Sequence, residues 1–305
     1  MNIISTILPV FIIIVLGLFA KKRGFISQEF LDEANRLVYY IAIPAMIFSS
    51  IAKSSLKTQM NPQVIIITLV SVVVIAAISW GTTHFLNMAR PLKGSFIQCS
   101  FHGNLGYIGL AVAFYYLGNA GFVKAAIIAG FVMILQNIMA IIILQYHSSK
   151  NTGHSSLFST IKKTMANPVI LSALAGISFS LLNVTTPLII DRALEILQGM
   201  ALPLALLVIG ASLSFEKLKP RFLHVLLSSF LKLIIIPAIG LLLFKIFSIP
   251  SVDYLPGLII LASPSATLTY IMAKQIGGDP DFAVAAISIC TILSGLTYGF
   301  WLSLG

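Results

Sequence analysis

The sequence predicts an all-α integral membrane protein: ten transmembrane helices in two inverted five-helix repeats, with the fourth and ninth interrupted. Three observations carry this. The 305 residues are 58% hydrophobic and only 9% charged, with a mean hydropathy of +1.01, far from the composition of a soluble domain. Ten apolar runs approach or exceed the roughly 20 residues that cross a bilayer. Features of the first five runs recur, in order, in the last five.

The runs are 2–20, 30–52, 62–86, 94–117, 121–146, 167–183, 187–214, 222–248, 255–276 and 281–304. The first has no basic stretch before it, and Lys21, Lys22 and Arg23 follow it. It is therefore read as a first span and not as a cleavable leader. The longest polar segment, 147–165, leaves no room for a soluble domain.

Twelve of the 19 lysines and arginines fall in odd-numbered loops, five in even-numbered ones, and Arg36 and Lys232 lie in helices. The positive-inside bias puts the odd loops in the cytoplasm. The expectation is a multi-pass protein of the cytoplasmic (inner) membrane with both termini outside. The net charge of +10 is thus a topology signal, and no nucleic-acid partner is expected.

A shift of 159 residues aligns Pro9 with Pro168, Gly17 with Gly176, Asp32 with Asp191, Pro44 with Pro203 and Gly118 with Gly277. Five helices per repeat is an odd number, so the halves run in opposite orientations. Inverted repeats of this kind are common in secondary transporters, whose sites lie at interrupted helices near the midplane. Channels also carry them.

The fourth run contains SFHGNLGYIGLAVAFYYLG (100–118), with Gly103, Gly106 and Gly109 at every third position. Its counterpart in the ninth run reads LASPSATLTYIMAKQIGG (261–278). Glycine costs a helix about 1 kcal/mol relative to alanine, and Pro264 removes a backbone donor. Either feature alone is compatible with close packing or a kink. Two interruptions in corresponding runs point to a transporter site.

The nine carboxylates all lie near helix ends or in loops, which excludes a cation site built on mid-membrane aspartates. Lys232 lies eleven residues beyond Arg221, about 16 Å along a helix. It is read either as a snorkelling or structural group or as a contact for an anionic substrate. Gln136 is assigned to a cavity and Asn137 to a structural role. His102 is either a satisfied structural donor or a proton-coupling group. Cys99 and Cys290 sit in apolar runs and are assigned to packing. No catalytic signature, metal-ligand set or cofactor motif is present, so no enzyme activity, metal or cofactor is expected.

The motifs GNLGYIGLAV (103–112), LPLALLVIGASL (202–213) and SPSATLTYIMAKQIGGD (263–279), with NPVILSALAGISFSLL (167–182), resemble the auxin efflux carrier family. That family includes the plant PIN-type auxin carriers and bacterial carriers of malonate and malate. The resemblance spans essentially the whole chain. It implies broken crossing helices four and nine. It also implies a scaffold of residues 1–61 and 166–220, which often dimerises, and a transport domain of residues 62–147 and 221–305. A cytoplasmic loop, 148–165, joins the halves. Family members move small organic anions. Asn104 matches the family's crossover asparagine, Gln136 looks like a glutamine of the PIN-type carriers, and Pro264 matches the crossover proline. Where the family usually has proline in the first crossover, this chain has Ala111, so that crossover either depends on Gly103, Gly106 and Gly109 or is less sharply broken.

The expectation is a secondary transporter of small carboxylates, homodimeric through its scaffold. Asn104, Gln136, Ser265, Thr267 and Lys232 are the candidate substrate residues. A sodium-coupled symporter, an anion channel and a non-transporting membrane sensor are the alternatives.

Overall fold

The computed structural model describes residues 3–54, 61–86, 88–148 and 166–305. Lys57, Lys150, Lys162, Lys163 and nearly all of the 148–165 loop lie outside the described residues. Among the described residues the protein is all-α, and the one extended pairing is an isolated antiparallel bridge between Gly103 and Ser265.

Among the described residues seven helices are long and apolar enough to cross a membrane: α1 (Ile3–Lys22), α2 (Gln28–Ala52), α3 (Pro62–Phe85), α5 (Leu105–His147), α7 (Leu188–Ser212), α8 (Lys219–Ile246) and α11 (Pro280–Ser303). Four shorter ones complete the set: α4 (Arg90–Phe101), α6 (Pro168–Leu181), α9 (Ser251–Ala262) and α10 (Leu268–Ile276). The fourth apolar run is divided between α4 and the start of α5. The ninth is divided between α9 and α10. Gly118, at φ 68° and ψ −167°, bends α5 where the fourth and fifth runs meet. Few residues other than glycine adopt that backbone without strain.

Helix starts follow from local chemistry. Asn61, Asn167 and Asp279 each accept a hydrogen bond from a first-turn N–H, and each precedes a proline at the first helical position. That proline lacks only a donor that would have had no intrahelical partner. Ser27 caps α2 through Phe30 N–H. Gly277, at φ 102°, closes α10, the usual left-handed stop.

α1 packs along α7, and the second half of α2 lies between α6 and α7. Backbones touch in this group. A Cβ built on Gly210 would stand 1.8 Å from the Ile14 carbonyl oxygen, and one on Gly17 2.2 Å from that of Leu207. Such close approach through small residues is how helices associate where lipid removes the hydrophobic drive. α5 packs against α3, α4 and α9, and α11 against α8, α9 and α10. Large apolar side chains remain exposed on the outer faces, including Ile12 at 54%, Ile189 at 81% and Ile196 at 77%. So much apolar surface is compatible with a bilayer and not with water.

Asp279 ties two elements together. Its Oδ1 accepts Phe282 N–H at 2.9 Å, and its Oδ2 accepts the Arg221 guanidinium at 2.9 and 3.2 Å. Asp279→Ala removes the cap of α11 and leaves Arg221 unpaired. The expected loss is about 1–2 kcal/mol, read as a lower melting temperature of the detergent-purified protein.

Candidate functional site

The site is built on two failed helices. α4 ends at Phe101, and His102 (ψ 97°) and Asn104 (ψ 69°) leave helical geometry before α5 begins with a wide π-type turn, Leu105–Gly109. α9 ends at Ala262, Ser263 is extended (ψ 141°), and α10 starts at Leu268. The peptide groups released by the two breaks are buried and must find partners. They pair with each other. Asn104 N–H donates to Pro264 O at 2.7 Å, and Ala266 N–H donates to His102 O at 2.9 Å. Pro264 has no N–H to lose here and contributes only its carbonyl.

The pairing leaves the N–H and C=O of Gly103 pointing away from Ser265, and one side chain satisfies both. Gln136 of α5 accepts from Gly103 N–H at 3.0 Å through Oε1 and donates to Gly103 O at 3.2 Å through Nε2. The amide acts as a one-residue substitute for a third strand. On the other side, Ser265 N–H meets Cys290 Sγ at 3.4 Å, and Ser265 Oγ donates to Cys99 O at 2.7 Å.

A cavity of about 600 Å³ lies against the Gly103 side of this crossing. His102, Gly103, Asn104, Leu105 and Gly106 line one part of it, and Ala266, Thr267 and Leu268 another. The first residues of α5 and α10 are therefore both at the cavity. Helix starts carry partial positive charge and unpaired N–H groups, which suit an anion. Gln136, Asn137 and Met133 of α5 form the back. The facing wall comes from Asn35, Arg36, Tyr39 and Tyr40 of α2, with Asn167 and Val169 at the start of α6.

Three lining residues each hold a buried polar atom without a protein partner: His102 Nδ1, Asn104 Nδ2 and Asn137 Oδ1. Buried polar atoms are bonded in about nine cases of ten, and three of the exceptions among the described residues belong to side chains that line this one cavity. Asn35 is held in place, with its Oδ1 accepting Tyr107 O–H at 2.7 Å. The Arg36 guanidinium sits at the rim, 72% exposed and 3.5 Å from Glu33.

The sequence-predicted residues divide. Asn104, Gln136, Thr267, His102, Gly103 and Gly106 line the cavity. Ser265 and Lys232 do not: the Ser265 hydroxyl is bound to Cys99 O, and Lys232 Nζ donates to Leu261 O at 2.8 Å. Gly109 and Ala111 are buried in helical backbone past the break, so the interruption is confined to 102–104 and does not extend to 111. Asn137, expected to face elsewhere, lines the cavity beside Gln136. Sequence reasoning missed the α2 wall and Asn167. The polar pair Asn35-Arg36 inside an apolar run was the available signal. Among the described residues no three His, Cys, Asp or Glu side chains group as a metal site.

Comparison with known proteins gives the same direction. The family model described as "Membrane transport protein" matches residues 2–302. An uncharacterized transporter of Methanocaldococcus jannaschii is 25% identical, with 97% of each chain covered. A Rhizobium meliloti protein named "Putative malonate transporter" is also 25% identical, over 97% of this chain and 93% of its own. The uncharacterized transporter YfdV of Escherichia coli is 24% identical over 98% of this chain and 96% of its own. These relatives are named as transporters and not as enzymes. A match along essentially the whole chain makes this multi-pass protein a member of the membrane transport protein family, the auxin efflux carrier family that its motifs resemble.

Proposed function

We propose that the chain is a secondary active transporter of small organic anions, mono- or dicarboxylates including auxin-like acids, working by alternating access. The observation that carries this reading is the cavity at the crossing. It joins two helix starts to three buried polar atoms that the protein leaves unpaired. Asn104 Nδ2 and the first turns of α5 and α10 would take a carboxylate, with the Thr267 hydroxyl beside them. Met133, Leu268, Ile271 and the tyrosines of α2 would hold the carbon skeleton, and Arg36 at the rim suits a second acidic group. Gln136 positions Gly103 and does not itself contact substrate. The relative named for malonate supports a carboxylate.

In this reading the ten apolar runs are ten spans in two inverted repeats. α1, α2, α6 and α7 form a scaffold through which two copies pair. The remaining helices, with the crossing, move as a rigid body against it. The packing of α1 on α7 and of α2 on α6 supports that division. The cavity wall runs from the middle of α2 (Asn35 to Ile43) to the start of α6 (Asn167 and Val169), an end that the lysine and arginine bias assigns to the cytoplasm. The described conformation is then inward-facing, in an inner membrane with both termini outside.

The test is counterflow in proteoliposomes with malonate, malate and indole-acetate. Saturable exchange of at least one acid is expected, and an ohmic current without exchange would identify a channel instead. Asn104→Ala removes a hydrogen bond to a charged group, worth roughly 1.5–3 kcal/mol. Uptake of the transported acid is expected to fall about 10-fold or more. Unchanged uptake would remove Asn104 from the site.

A further inference from the structure

Among the described residues, Lys232 is the one lysine, arginine, aspartate or glutamate that is fully buried, at 1% exposure. No carboxylate compensates it. The ion pairs of the described residues involve Arg36, Lys53, Lys124, Lys217 and Arg221, and Lys232 is in none of them. A buried cation without a partner is costly, by several kcal/mol in general, so something else must hold it.

What holds it is the carboxyl end of a broken helix. Lys232 Nζ donates to Leu261 O at 2.8 Å, in the last turn of α9. The last four carbonyls of a helix lack intrahelical partners and carry its partial negative charge. The ammonium also reaches the crossing itself: a Cβ built on Gly103 would stand 3.4 Å from Nζ and 2.5 Å from Ser263 Oγ. Lys232 lies in a π-type turn, Leu231–Ile235, that widens α8 just before Pro237. Such insertions inside α-helices are often found at functional sites.

The crossing is thus polar in a fixed sense. Helix starts meet at the cavity, and the end of α9 meets Lys232. In transporters with broken helices, the half-helix starts face the anionic substrate, while unwound carbonyls and half-helix ends coordinate a coupling cation. Here those carbonyls are met by a cation tethered to the chain.

We infer that Lys232 is a built-in counter-cation that takes the place of an exchangeable metal ion at the crossing. The carrier therefore needs no sodium, and removing the ammonium opens a site for a small monovalent cation. The inference rests on the carrier reading above but is measured independently of which anion is carried.

The experiment is a melting-temperature comparison of detergent-purified protein in sodium chloride and in choline chloride at equal ionic strength. The native protein is expected to melt at the same temperature in both. Lys232→Ala is expected to melt lower in choline and to recover by about 2 °C or more in sodium or methylammonium chloride, as mass action requires of a ligand that binds only the folded state. Lys232→Arg is expected to remain sodium-indifferent. A sodium-dependent rise in the native protein would overturn the inference. So would a Lys232→Ala variant that is as stable as the native protein in choline, or one that no small cation stabilises. Should Lys232→Ala not fold, the native protein and Lys232→Arg still decide, since sodium stabilisation of either contradicts a permanently filled site. Counterflow of malonate, malate and indole-acetate by the native protein is run alongside. Its absence counts against the transport reading and leaves the melting result standing.

Discussion

Replacing Gln136 by leucine is expected to lower stability by about 2–5 kcal/mol and to abolish counterflow. The side chains are close in volume, so the effect is not a cavity. The two backbone groups of Gly103 lose their side-chain partner, at 3.0 and 3.2 Å, in a buried stretch of backbone. A buried group left unpaired costs roughly 1–3 kcal/mol, and two are left here. With about 2–4 °C per kcal/mol for chains approaching this size, the melting temperature should fall by about 4–20 °C. Asn137→Leu is the control. Asn137 lines the same cavity, but its Oδ1 holds no protein group. Its loss should cost less than about 1 kcal/mol of stability while still reducing transport. If the two variants were equally stable, Gln136 would be another lining residue and the crossing would be held by its two cross-pairing bonds alone.

That contrast marks the limit of what the sequence discloses. Apolar runs place the helices because a bilayer imposes one length on every span. The glycines of 100–118 and Pro264 mark the two interruptions because only backbone defects show in a sequence. The partner chosen by the released peptide groups does not show. Asn104 with Pro264 and His102 with Ala266 are long-range pairings that composition cannot encode. The same holds for Lys232: its depth follows from counting residues past Arg221, but its acceptor, Leu261 O, is a backbone atom that any residue would supply. Gln136 was legible as a buried amide and illegible as a bracket on Gly103. Arg36 and Asn35 lie on a helix whose role in the cavity depends on how α2 meets the crossing, so their function is tertiary. Ala111 misleads in the opposite sense. It stands where the resemblance to the family leads one to expect a proline, yet the break occurs at 102–104, where Gly103 lets the second backbone approach.

Gly103→Ala tests that last point, and the glycines around it supply the comparison. A Cβ on Gly103 would stand 2.5 Å from Ser263 Oγ and 2.8 Å from Leu105 Cδ2. Neither neighbour yields freely, since the Ser263 hydroxyl is bound to Ile260 O at 2.7 Å and Leu105 is 2% exposed. The two backbones must part, which strains the bonds from Asn104 to Pro264 and from Ala266 to His102. Overpacking of this kind costs about 1–3 kcal/mol. It should also reduce transport, because Asn104 is displaced with its own N–H. A Cβ on Gly106 meets nothing nearer than Met133 Cε at 3.4 Å. Gly106→Ala is therefore expected to be nearly neutral in melting temperature, although the sequence presents the two glycines as equivalent members of one spacing. Ser263→Gly in the Gly103→Ala background removes the nearest clash. It should recover part of the loss, giving a coupling of about 0.5–3 kcal/mol between residues from opposite halves of the chain. A Gly103→Ala variant as stable as Gly106→Ala, with no coupling to Ser263, would mean that the halves do not approach each other through Gly103. The polarity of the site, helix starts toward the cavity and a helix end toward Lys232, would then lose its structural basis.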